Sequence, residues 1–180
     1  WPLRRGELII PRVFGFCRGV MRALAMLSHA LDERPTDGRR YVLLGEIIHN
    51  PWVNEHFRAR GVRILTPEQR ERLEEHVSGD DCAVIPAFGV PLPIDRRLRA
   101  IGCRIVDTTC GDVLRLWRWA ERTAAEGFGI LIYGRARHDE TVVTKSRLDA
   151  AAADYVVVGN LDEARVFCDL LASGADDACF

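Results

Sequence analysis

The chain has 180 residues, 48% of them hydrophobic and 28% charged, and its 25 Lys and Arg against 26 Asp and Glu leave a net charge of -1. This composition belongs to a folded chain of one domain, or of two small α/β units sharing a core, and excludes a disordered one. The charge balance argues against a general nucleic-acid binder, and no run approaches the roughly 20 apolar residues of a membrane span.

Glu7–Val13 is apolar and β-branched and reads as a strand. Gly15-Phe16-Cys17-Arg18-Gly19 reads as a turn, and Val20–Leu31 as a helix that Pro35–Gly38 ends. Tyr41–Ile48 is a second buried strand. Pro51 suits the first turn of a helix that stops at Gly61, and Thr66 suits the cap of the next. Cys82–Ala87 is a short strand, Ile94–Ala100 a short helix, and Cys103–Asp107 a strand running into Thr108-Thr109-Cys110-Gly111. Asp112–Glu126 is a helix, Phe128–Tyr133 a strand, and Gly134–Glu140 a polar loop before another helix. Tyr155–Val158 and Leu161–Leu171 add one more strand and helix. Strands alternating with helices in this way predict an α/β fold of repeated βαβ units with small parallel sheets. The best boundary lies near residues 108–112, which gives a first unit over 1–109 and a second over 110–180.

The N-terminus lacks the charged-then-apolar order of a signal peptide. The start at Trp1 carries the expectation that the natural start lies upstream. Six cysteines stand at positions 17, 82, 103, 110, 168 and 179 without a CxxC pair. Disulfide frameworks are short, dense and secreted. Most of these cysteines are therefore expected in the core, with one or two as metal ligands, in a reducing cytoplasmic setting. Every cation but Lys145 is Arg, whose forked donors suit phosphates.

In parallel α/β units the loops at the carboxyl ends of strands build the binding crevice. Cys17, His49-Asn50, Phe88-Gly89, Cys110, and His138 with Glu140 follow five successive strands of this reading. Cys17 and Cys110 each sit on a Gly-flanked loop opening a helix, where dipole and free N–H groups favour a thiolate, the ligand that holds iron–sulfur clusters. The plain alternative is two buried cysteines. His49, at a strand end before a Pro-started helix, is placed to meet an anion or else to cap that helix. His138 and Glu140 suit proton delivery, or form a solvated charge run at a helix start.

Together, GFCRGVMRA, LLGEIIHNPWV with the later RGV, VIPAFGVP, IVDTTCGDV and GRARHDET resemble, in order and spacing, the motifs of the LytB/IspH family. That family comprises the 4-hydroxy-3-methylbut-2-enyl diphosphate reductases of the non-mevalonate isoprenoid pathway. The resemblance covers nearly the whole chain. It implies a fold of three similar α/β units around a [4Fe-4S] cluster, of which this chain holds two, the third unit being absent. It implies an oxidoreductase that removes the substrate hydroxyl as water, leaving isopentenyl and dimethylallyl diphosphates. Cys17 and Cys110 resemble two of three cluster ligands, His49 and His138 two of three histidines around the diphosphate, and Glu140 the acid that relays protons to the leaving hydroxyl. The implied partners are a small allylic diphosphate and an electron donor such as ferredoxin or flavodoxin, with no nucleic acid and no membrane.

The chain departs from the pattern in four places. Ala87-Phe88-Gly89 stands where the family's Ala-His-Gly segment carries the third histidine, and Gly111-Asp112 follows the second cysteine in place of Pro. Gly134-Arg135-Ala136-Arg137-His138-Asp139-Glu140 replaces Gly-His-x-x-His-x-Glu, with no Gly-Thr-x-Gly after it. Neither Cys168 nor Cys179 lies in a motif matching the third ligand. The alternative is a non-redox homologue, or a fragment, that binds a phosphorylated ligand or pairs with another chain.

Overall fold

The computed structural model describes residues 2–33 and 38–174, with side chains from residue 4 onward. Cys179 and most of the turn expected at Pro35–Gly38 lie outside the described residues.

A small antiparallel hairpin, β1 (Pro2–Leu3) and β2 (Gly6–Glu7), opens the chain. The strand expected over Glu7–Val13 does not form beyond Glu7. Pro11 offers no amide donor, and the run finds no partner strand among the described residues. Ile9, Val13 and Phe14 stay exposed. Helix α1 (Arg18–Asp32) follows and buries Ala23, Leu27, Ala30 and Leu31, the i, i+4, i+7, i+8 stripe of an amphipathic helix.

Four parallel strands form the main sheet: β3 (Tyr41–Leu43), β4 (Val62–Ile64), β5 (Cys82–Ile85) and β6 (Arg104–Asp107), in the order β4-β3-β5-β6. Their connections are α2 (Pro51–Ala59), α3 (Pro67–Glu71) with a 3-10 turn at Leu73–Glu75, and α4 (Leu92–Ile101). Strand β3 is shorter than expected because Gly45, at φ +141°, turns the backbone out of strand geometry. Strand β4 is an addition, since three residues after Gly61 are too few to show alternation. The local caps follow the sequence reading. Asn50 accepts from Val53 N at 3.2 Å with Pro51 in the first turn, and Thr66 and Gln69 form a reciprocal capping box.

Alternation along β3 sends Tyr41 and Leu43 into a core with Leu27 and Phe57, and Val42 and Leu44 into a second with Leu73, Ile94 and Leu98. Helix α5 (Gly111–Ala125) then leads to β7 (Ile130–Tyr133), α6 (Asp139–Ala150), β8 (Tyr155–Val158) and α7 (Leu161–Ser173). Strands β7 and β8 pair in parallel, and Ile130 and Leu148 pack with Ala120 of α5. The chain is therefore α/β with small parallel sheets.

One buried charge stabilises the main sheet. Asp81, just before β5, receives Arg40 Nε and NH2 at 2.8 Å each, Ser78 N at 2.8 Å and Ser78 Oγ at 3.0 Å. Burial pushes its carboxyl up, but the bonds from Arg40 and Ser78 outweigh burial and hold it below its ordinary value. Asp81→Asn should cost about 2 kcal/mol in urea unfolding at neutral pH. A carboxyl depressed in the folded state stabilises fully above its unfolded value, near pH 4, and loses that contribution as pH falls through the folded value. The gap between the two proteins should therefore close in acid; a gap independent of pH would remove the assignment.

Candidate functional site

The strand order reverses between β3 and β5, and crevices form beyond the carboxyl ends of strands at such a point. A backbone ladder continues there past the strands. Ala87 N donates to Ile47 O at 3.1 Å, and Cys110 N donates to Ala87 O at 2.8 Å. Thr108 closes the same turn, its N and Oγ1 both donating to Ile85 O. The loops bearing His49, Phe88 and Cys110 are thereby zipped side by side.

Asn54 fixes the first of these loops. Buried in α2, it accepts from Ile47 N at 3.0 Å and donates to Ile48 O at 2.9 Å, bracing the turn into His49. The His49 ring stacks on buried Phe88 with centroids 4.8 Å apart and planes 10° apart, and meets His138 edge-on at 5.2 Å and 66°. Its Nδ1 lies 3.4 Å from Glu46 Oε2 and its Nε2 3.8 Å from Asp139 Oδ2. His138 is the N-cap of α6 but does not cap with its side chain. Glu140 lies in the first turn of α6 and is exposed. It makes no side-chain hydrogen bond or ion pair with another described residue.

Cys17 and Cys110 are the N-caps of α1 and α5, and neither side chain caps its helix. Cys17 is exposed and Cys110 partly so. Both sulfurs lie within 4 Å of the point where Gly19 would carry a β-carbon, Cys17 Sγ at 3.8 Å and Cys110 Sγ well inside van der Waals contact. The two helix starts thus bring both thiols to one spot, and a glycine makes room for them.

The five sequence candidates form two groups: the thiol pair, and the His49–Phe88–His138 rings. Glu140 joins the second through the chain alone. Cys82 and Cys103 are buried, as expected of core residues, and burial pushes the Cys103 thiol up, whereas exposed Cys168 departs from the expectation that most of the cysteines lie in the core. Among the described residues no three His, Cys, Asp or Glu side chains converge as a complete metal site, and no helix is long and apolar enough to cross a membrane. Sequence reasoning missed Glu46, Asp139 and Arg70. The first two stand inside quoted motifs. Arg70 has no local signal, because it reaches the site across the fold.

The family model for LytB protein matches residues 8–173. A 4-hydroxy-3-methylbut-2-enyl diphosphate reductase of Gloeobacter violaceus is 38% identical over 186 residues, covering 100% of this chain and 43% of the relative. One from a Synechococcus strain is 38% identical, covering 97% of this chain and again 43% of the relative. The chain thus spans less than half the length of these relatives. A solved (E)-4-hydroxy-3-methyl-but-2-enyl diphosphate reductase superposes with a TM-score of 0.70 at 27% identity, over 83% of this chain and 50% of that one. A Plasmodium falciparum reductase shares the fold with the same TM-score at 21% identity. Matched by the family model along almost its entire length, the chain belongs to the LytB family.

Proposed function

We propose that this chain supplies two thiolates and a two-histidine anion site to a 4-hydroxy-3-methylbut-2-enyl diphosphate reductase of the isoprenoid pathway. The observation that carries the reading is the thiol pair around Gly19, joined by the Ala87 ladder to the stacked His49. Two thiols at helix N-termini, one exposed and one partly so, fit part of the ligand set of an iron–sulfur cluster. When bound, a [4Fe-4S] cluster would relay the two electrons of the reduction, one at a time, from the external donor to the substrate. In this reading residues 1–109 and 110–180 are two of three units. The remaining thiolate and diphosphate contacts come from the part of the relatives that this chain does not match. Ferredoxin or flavodoxin in the cytoplasm is the electron donor.

The chain's own residues bind and move protons. The overall change replaces a C–O bond by a C–H bond with two electrons and two protons, releasing water. His49 and His138 offset the diphosphate charge, and the stack on Phe88 holds the His49 ring in place while the substrate binds. Glu140, exposed in α6 two residues after His138, donates a proton to the departing hydroxyl. Hydroxide is a poor leaving group, so protonation at that oxygen is the step a carboxylic acid can assist.

Anaerobic reconstitution with iron, sulfide and a small thiol should give the 180-residue chain iron and visible absorbance. Cys17→Ser and Cys110→Ser should each remove them, and Glu140→Gln should not. Calorimetric titration with the allylic diphosphate should show binding that His49→Ala weakens about tenfold or more. Diphosphate binding without iron would favour the non-redox homologue. Neither iron nor binding would end both readings.

A further inference from the structure

The Arg70 side chain, in the last turn of α3, is 12% exposed. A guanidinium so far removed from water is costly unless acceptors surround it. Its NH1 donates to the Leu44 carbonyl at 3.3 Å, and its NH2 lies 3.8 Å from Asp139 Oδ1. The other oxygen of the same carboxylate lies 3.8 Å from His49 Nε2. Asp139 is therefore shared between Arg70 and His49. Arg70, Asp139, Glu46 and Phe88 also line one partly open cavity of about 340 Å³.

The arrangement answers an electrostatic difficulty. A carboxylate next to two imidazoles would repel an incoming phosphate. A guanidinium on its far side offsets that charge and holds it in one place. The contact also spans two parts of the chain, because Leu44 directly follows β3 while Asp139 begins α6.

We propose that Arg70 and Asp139 are positioning residues for the His49–His138 pair. Arg70, anchored on the Leu44 carbonyl, fixes the Asp139 carboxylate against His49 Nε2 and so fastens the start of α6 to the loop after β3. The proposal's effect on ligand binding, though not its geometry, rests on the diphosphate reading above.

Nitrogen–proton correlation spectra of the histidine rings in the 180-residue chain test it. Asp139→Asn, which keeps the side-chain shape, and Arg70→Met should each shift the His49 and His138 ring signals and leave His29, on α1, in place. The double variant should shift them no further than one single change, because both act through one pair. Arg70→Lys should recover part of the wild-type spectrum. Unmoved rings in Asp139→Asn, or double-variant shifts equal to the sum of the singles, overturn the proposal. A parallel pyrophosphate titration separates it from the diphosphate reading: Arg70→Met should bind about tenfold more weakly than wild type. Shifted rings with no pyrophosphate binding by wild type support the positioning role and overturn the diphosphate reading. Unmoved rings with intact wild-type binding overturn the positioning role alone.

Discussion

Gly89→Ala should lower stability by about 3–5 kcal/mol, as a fall in the urea midpoint with an unchanged slope. Two costs add at this position. Gly89 sits at φ +82°, in the left-handed region that a β-carbon disfavours. That carbon would also stand 2.9 Å from Trp117 Cζ2 and closer still to Cη2. Trp117 cannot easily yield, because it is 4% exposed and Arg147 lies 4.0 Å over its ring. Gly127→Ala is the control. Gly127 has φ +88° with nothing within 4 Å of the added carbon, so its cost should be about 1 kcal/mol, the backbone part alone. Equal losses in the two variants would mean that the indole moves aside. Since Gly89 follows the phenylalanine under His49, a folded Gly89→Ala protein should also bind pyrophosphate less well.

Gly19→Ala should behave in the opposite way, sparing the fold and damaging the thiol pair. Gly19 lies within α1, where alanine is the better helix former by about 1 kcal/mol. Its new methyl would overlap Cys110 Sγ, while Cys110 Cβ stands 3.4 Å away. The cheap response is rotation of the Cys110 side chain, which carries its sulfur away from Cys17. Reconstituted iron should fall about tenfold, in the range expected when a ligand's support is lost, with the urea midpoint steady or raised. Full iron content in this variant would show that the two thiols need no shared spot. A falling midpoint would show that the backbone, rather than the sulfur, gives way.

The caps were legible because their chemistry is local. Thr66 with Gln69, and Asn50 with Pro51, carry their own instructions within a turn of helix. The failure at Glu7–Val13 is of another kind. A β-branched run says that a strand would be stable if paired, and pairing is decided by residues far away. Strand β4 was too short to announce itself. At the site, the motifs pointed to Cys17, Cys110, His49, His138 and Glu140, and the fold groups the first two around Gly19 and sets the two histidines ring against ring, with Phe88 under His49. The reasons for the neighbours were not legible. Nothing near Gly19 in sequence says that a sulfur from α5 will occupy the space its missing side chain leaves. Arg70 looks like any surface cation of a charged helix until Leu44 and Asp139 are seen around it.

The ring contact between His49 and His138 spans half the chain, whereas β3 pairs with near neighbours in sequence. Closing so long a loop carries its full entropy before the contact returns anything. An order of assembly is expected from this: the sheets form while the histidines are still apart, and the ring pair joins late, on the native side of the main folding barrier. Interactions made that late slow unfolding far more than they speed folding. An anion held between the two rings would therefore act as a clasp, lengthening the life of the folded chain without hastening its birth.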